Sequence, residues 1–193
     1  MAARRTQAER RETTRAAVLE SAVRLFGEKG YAETSLDEIA AEAGVTIRPI
    51  YHYFENKLGL FEAVKDVMEE RILDTYQRDE AGGLDAVALW RAFIALCDDT
   101  GFRQILLVDG PTVLGRERWL SSAVPRSVES LLATSSIQGR PISGLAARML
   151  VGALIEAALA IAESDDPRAT SAEAEGLVAS IVGAVDPSSV PSA

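Results

Sequence analysis

Apolar residues recur along this chain with the period of an α-helix, and no stretch alternates with the period of two that a half-buried strand requires. In "AERRETTRAAVLESAVRLFGEKG", Val18, Ala22, Leu25 and Phe26 fall at i, i+4, i+7 and i+8, and Gly27 with Gly30 marks the stop. "SLDEIAAEAG" opens with Ser35 and Glu38 at capping-box spacing, with Thr34 an alternative cap. Leu36, Ile39, Ala40 and Ala43 then line one face, and Gly44 ends the helix where a left-handed residue is needed. "LGLFEAVKDVMEERILDTY" keeps Leu60, Phe61, Val64, Val67, Met68 and Ile72 on one side. Further helices are predicted near 84–98, 102–108, 116–137, 143–164 and 170–185, set apart by "DDTG", "DGPTVLG", "QGRP" and "SDDP". Pro125 kinks or splits the segment 116–137, and Thr170 with Glu173 forms a second capping-box pair. The expected fold class is all-α.

The first shift in composition, "RDEAGGLD" (78–85), divides the chain into a head over 1–57, a connecting helix over 58–77 and a larger domain over 78–193. The tail "DPSSVPSA" has little to bury and is expected to be disordered. The net charge of −9 is unevenly spread: residues 1–57 carry nine Lys/Arg against nine Asp/Glu, and residues 58–193 carry eleven against twenty. Five arginines (4, 5, 10, 11 and 15) stand among the first sixteen residues against Glu9 and Glu12. A near-neutral head with a basic tip on an acidic body fits a protein of which one end meets a polyanion.

Several classes drop out. A single cysteine, Cys97, leaves no intramolecular disulfide framework. The start "MAARRTQAERRETTR" has no apolar core of a secretory signal. The run "MLVGALIEAALAIA" (149–162) is shorter than the roughly 20 residues that cross a bilayer and is interrupted by Glu156. A cytoplasmic chain with no membrane partner is expected. An enzyme centred on His52 fails on supply: the chain has one His, one Cys, no G-x-S-x-G, no metal-spaced cluster and no phosphate-cradling loop. No cofactor, metal or catalytic residue is expected.

The stretch "GVTIRPIYHYFENK" (44–57) carries the most chemistry. With Thr46 as N-cap, Pro49 takes the third helical position, where its missing N–H has no intrahelical partner to lose. Ile47, Ile50 and Phe54 then share one face with Tyr53 on its margin, and Arg48 and His52 point the other way, flanked by Pro49 and Tyr51. A helix of about ten residues, a tight turn and a second short helix with a polar outer face make a helix-turn-helix, whose second helix enters the major groove by its N-terminal end.

From about Thr14 to Val64 the sequence resembles the tetracycline-repressor-type (TetR) family of transcriptional regulators. The resemblance is carried by "FGEKGY", "IAAEAGV" and "IYHYFENK" in that order and spacing. The triplet "IRP" departs from the small or glycine-containing one often found there, which bears on the operator sequence read. The resemblance implies a homodimer that binds a palindromic double-stranded DNA operator, most often as a repressor. Ser35 (or Thr34) would bond a phosphate, and Thr46, Tyr51 and Lys57 would clamp the backbone. Arg48 and His52 are best aimed at base edges, Arg48 toward guanine, with Pro49 on a thymine methyl. Arg4, Arg5, Arg10 and Arg11 would add phosphate or minor-groove contacts.

In the larger domain "ARMLVGALIEAALAIAE" (147–163) is apolar nearly all round, and with part of 116–137 it is expected to form a two-fold four-helix interface. Trp90, Phe93, Cys97, Phe102, Ile105, Trp119 and Leu150 are the side chains expected to line a cavity for an apolar small-molecule effector, with Glu156 its polar group unless it faces the dimer seam or solvent. The rival reading is a small-molecule binding protein of the same fold that no longer binds DNA.

Overall fold

Thr6 starts the first helix: its hydroxyl accepts the Glu9 N–H at 3.2 Å while the Glu9 carboxylate accepts the Thr6 N–H at 2.7 Å. The computed structural model describes residues 6–79, 86–134, 136–137, 140–141 and 143–184. Arg4, Arg5, most of the "RDEAGGLD" boundary and the "DPSSVPSA" tail lie outside them. The helices are α1 Gln7–Glu33, α2 Leu36–Glu42, α3 Ile47–Phe54, α4 Lys57–Asp79, α5 Ala86–Cys97, α6 Thr100–Arg103, α7 Gly110–Leu114, α8 Arg116–Leu120, α9 Ala123–Thr134, α10 Gly144–Glu163 and α11 Pro167–Ala184. One two-residue ladder interrupts them, β1 Ser136–Ile137 antiparallel to β2 Arg140–Pro141.

The chain forms two compact units, one of Met1–Met68 with Asp99–Val113, the other of Glu69–Asp98 with Leu114–Ala193. The division falls inside α4 and not at 78–85, and it gives the segment 99–113 to the unit that holds α1, α2 and α3. Two glycines explain this. A Cβ on Gly27 of α1 would lie 2.9 Å from the Gly101 Cα of α6, so a side chain at 27 would push these backbones apart. Gly27 is therefore a packing residue, and the break in α1 is Gly30, at φ 80° and ψ 166°. The core of this unit is built from Phe26, Ile39, Ile50, Phe61, Phe102 and Ile105.

A π-helical turn, Gln104–Asp109, joins α6 to α7, with the Gly110 N–H reaching back five residues to the Ile105 carbonyl. Pro111, one residue on, has no N–H to offer and its ring crowds the preceding turn, and a widened turn is one of the few ways a helix tolerates this. The split expected within 116–137 falls at Ser121 and Ser122, so Pro125 lies in the first turn of α9, where proline is harmless. Helix α11 begins at Pro167, three residues before the expected Thr170. Asp166 accepts the Ala169 N–H at 3.1 Å, and Thr170 is occupied with the Asp166 carbonyl and Ser164 Oγ.

In the second unit α10 packs on α9 and α11, and α11 on α5. Trp90, Cys97, Trp119, Leu150, Ile161 and Val178 are buried there. Helix α10 has 20 residues and contains an 18-residue window of mean hydropathy 1.9, so by length and composition it is able to cross a membrane, contrary to the shorter run expected from sequence. Its packing on α9 and α11 is that of a core helix, yet only 28 % of its apolar window is buried. The large apolar side chains left exposed include Leu145 and Met149 on α10 and Leu177 and Ile181 on α11.

Candidate nucleic-acid interface

Helix α2 is held onto α1 by charge. Arg24 grips Glu42 with two nitrogens and Glu28 with a third, and Lys29 Nζ lies 2.9 Å from Glu38 Oε1. Glu38 is the second half of the expected capping box: it accepts the Ser35 N–H at 2.9 Å, while Ser35 Oγ accepts the Glu38 N–H at 3.1 Å. Hydrogen bonding from Lys29 first, then from Ser35, holds the Glu38 carboxyl down to about 2. At the other end the Val45 N–H reaches the Ala40 carbonyl and the Gly44 N–H the Ala41 carbonyl, with Gly44 at φ 66°. This is the Schellman closure, and it turns the chain sharply into α3.

Thr46 is the N-cap of α3, as its position implied, but its side chain makes no capping bond and is exposed. Pro49 stands at the third helical position. Ile50 and Phe54 are buried, whereas Arg48, Tyr51 and His52 are exposed, Tyr51 by 51 %. Among the described residues Arg48 has no ion-pair partner. The helix thus presents a cation, a phenol and an imidazole on its outer face, with the His52 ring 4.9 Å from that of Tyr53. Arg15, to which the sequence assigned no contact, stacks over the Phe54 ring at 5.5 Å and brings a half-exposed guanidinium beside the end of α3.

The corner between α3 and α4 is tightly built. Glu55 is held at φ 67° and ψ −48°, and the Asn56 N–H closes a three-residue turn on the Phe54 carbonyl at 2.7 Å. Asn56 then caps α4, its Oδ1 accepting the Gly59 N–H at 2.9 Å. A Cβ on Gly59 would lie only 2.2 Å from the Phe54 carbonyl oxygen.

Several expected site residues need correction or refinement. Thr34 is buried, 1 % exposed, and donates its hydroxyl to the Gly30 carbonyl at 2.8 Å and the Leu25 carbonyl at 3.2 Å. It is an internal strut and cannot reach a phosphate, which leaves the exposed Ser35 at that corner. Lys57 lies 4.3 Å above the Tyr31 ring with Nζ 3.4 Å from the Ala32 carbonyl, so it ties the start of α4 to the end of α1 in addition to any outward contact. Phe102 and Ile105 are core residues of the first unit, on the segment that the Gly27–Gly101 crossing ties to α1, whereas Trp90, Phe93 and Trp119 belong to the second. Glu156 is exposed and paired with Arg116 at 3.2 Å, so it is not the polar group of an internal cavity. The second unit does bury one phenol: Tyr76 of α4 lies near Cys97, and burial pushes its hydroxyl far above the usual value, keeping it neutral in the unit that also holds the Trp90–Phe93 ring pair. A single tyrosine on a helical face carries no sequence signal for this.

A capped helix, a Schellman turn and a second helix with a polar outer face define a helix-turn-helix protein, here with an attached helical unit. A family profile described as "Bacterial regulatory proteins, tetR family" matches residues 18–64, and one described as "Tetracyclin repressor-like, C-terminal domain" matches residues 85–185. The chain belongs to the TetR family of transcriptional regulators. It is 44 % identical over 70 residues to the HTH-type transcriptional regulator AcrR of Shigella flexneri, which is 36 % of this chain and 32 % of that protein. It is 48 % identical over 61 residues to the HTH-type transcriptional repressor BepR of Brucella suis, 32 % of this chain and 29 % of that one. The matched stretches span about a third of these curated relatives. Over nearly the whole chain it is similar to the crystal structure of a TetR-family regulator from Pectobacterium atrosepticum, with a TM-score of 0.68, 27 % identity and coverage of 94 % and 97 %. The fold of the multidrug binding protein EbrR, solved with imidazole, is also similar (TM-score 0.67, 22 % identity, coverage 92 % and 96 %).

Proposed function

We propose that this chain is a homodimeric one-component regulator that binds a palindromic operator through α3 and leaves it when an apolar small molecule occupies the second unit. The observation that carries the reading is the two-sidedness of α3: Ile50 and Phe54 are buried, and Arg48, Tyr51 and His52 are exposed, as are Ser35 and Thr46. In this assignment Arg48 and His52 read base edges and Pro49 packs on a thymine methyl, while Ser35, Thr46, Tyr51 and Lys57 hold phosphates, joined by Arg15. The head is 1–57 with the segment 99–113 added to it, α4 connects, and the rest of the chain binds effector and partner copy. Action on DNA places the protein in the bacterial cytoplasm, and repression is the mode that the name of BepR records for that relative.

The exposed Leu145, Met149, Leu177 and Ile181 support a two-fold interface of α10 and α11, in place of the pairing of α10 with 116–137 expected from sequence. Trp90, Phe93 and Trp119, with the Tyr76 hydroxyl as polar group, support an apolar effector, a class in keeping with the multidrug binding named for EbrR. An effector releases DNA only in so far as it prefers the released conformation, typically by about 1–3 kcal/mol, or a 5–150-fold loss of operator affinity.

Two substitutions test the DNA assignment. Arg48→Ala is expected to relax base preference and cost about 1–3 kcal/mol on the operator, while Lys57→Ala lowers the salt slope by about one on every duplex and, by loosening the Tyr31 corner, costs the operator more than other duplexes. Fluorescence anisotropy on operator and scrambled duplexes at several salt concentrations separates the two, and unchanged affinity and preference in both variants would refute the placement of α3.

A further inference from the structure

The kink at Gly30 leaves α1 with backbone groups that no helix satisfies. The carbonyl of Gly30 takes its hydrogen bond from the buried Thr34 hydroxyl, at 2.8 Å. The N–H of Tyr31 takes its acceptor from 78 residues away: Asp109 Oδ2, at 2.8 Å, at the end of the π-helical turn. Space around this contact is already used. A Cβ on Gly30 would meet Gln104 Nε2 at 3.2 Å and Asp109 Oδ2 at 3.5 Å, and the positive φ there strains any side chain.

Tyr31 in turn is the hub of the corner that sets α3. Its ring packs against Phe26 at 5.7 Å and edge-on to Phe61 at 5.1 Å, and Lys57 sits over its face. Lys57 is the first residue of α4, two residues after the Glu55 turn that ends α3. One carboxylate outside the helix-turn-helix therefore fixes the backbone of the residue on which the α3–α4 corner leans. The π turn puts it there: an extra residue in a turn rotates the remainder of the helix by about 100°, so a regular helix over 100–114 would carry Asp109 off α1.

We propose that Asp109 is a positioning residue for operator recognition, holding the Gly30–Tyr31 break of α1 and through it Lys57 and the start of α4. The inference rests on the DNA-binding reading of α3. Asp109 touches no DNA in this role; it sets the angle at which α3 is presented, so its loss falls on specific binding and spares the electrostatic binding common to all duplexes. Because the acceptor atom and not the charge is needed, an asparagine that keeps an oxygen at the same place restores the function.

The test compares the full-length wild type, Asp109→Ala and Asp109→Asn. Each is measured on a duplex that the wild type selects from a randomised pool and on a scrambled duplex, and amide hydrogen exchange is monitored at Tyr31. Asp109→Ala is expected to weaken the selected duplex by about tenfold or more, as for a backbone donor left without its acceptor, with the scrambled duplex unchanged and Tyr31 exchange accelerated. Asp109→Asn is expected to stay within about threefold of wild type on both. Faster Tyr31 exchange in Asp109→Ala with undiminished preference for the selected duplex overturns the positioning role, as does unchanged exchange. Equal losses on both duplexes mean general destabilisation and overturn it too. If the wild type itself selects no sequence, the regulator reading has failed, and that failure is visible before any variant is measured.

Discussion

Gly59→Ala is expected to destroy operator binding and lower the stability of the first unit by about 3 kcal/mol or more, the upper range for forced overpacking. The added methyl would sit 2.2 Å from the Phe54 carbonyl oxygen, and both atoms belong to backbone, so no side chain can swing aside. Relief requires α4 to back away from the end of α3, which breaks the Asn56–Gly59 cap and unseats the Glu55 turn. Gly44→Ala is the matched control. Gly44 needs its positive φ but has no atom within 4 Å of the missing Cβ, so the cost there is only the backbone strain of about 1–2 kcal/mol. Thermal melts with anisotropy on the operator distinguish the two, and a Gly59→Ala protein that melts and binds like Gly44→Ala would show that the corner is looser than described.

A charge on the exposed apolar face of α10 and α11 should have an effect at least as large, on assembly. Met149 is 68 % exposed and Leu177 57 % exposed in a single protomer, so Met149→Glu or Leu177→Glu leaves the protomer folded. Across a two-fold axis each substitution enters the interface twice, and every unpaired buried carboxylate costs several kcal/mol. The expected result is a monomer at micromolar concentration with wild-type helicity and an operator affinity reduced more than about a hundredfold, since each monomer engages one half-site. Sedimentation velocity reads this directly. Dimers that persist in both variants would move the interface elsewhere, and loss of helicity in both would make the face core.

How far the fold and site were legible in the sequence depends on the range of the interactions. The Ser35–Glu38 box, the Gly44 closure, the Thr46 start and the place of Pro49 depend on neighbours within five residues, and all stand as the spacing predicts. Thr34 and Ser35 are adjacent and chemically alike; which one faces outward was decided by the carbonyls of Leu25 and Gly30, and so by the kink in α1. Phe102 looked like a cavity wall because its apolar periodicity is the same whichever unit covers it, and the Gly27–Gly101 crossing chose. Glu156 is exposed and its partner Arg116 stands forty residues away, a pairing that local spacing does not reveal. Asp109 was unreadable for a further reason: the π turn breaks the 3.6 period on which every helical-face argument rests.

The most direct measurement is selection of duplexes from a randomised pool by the wild-type protein, with footprinting of the winners. The proposed mode of action requires an inverted repeat whose half-sites are centred about 34–36 Å apart on one face of the DNA, with protection at both. Enrichment of no sequence, or of a single unrepeated site bound by a monomer, would contradict it.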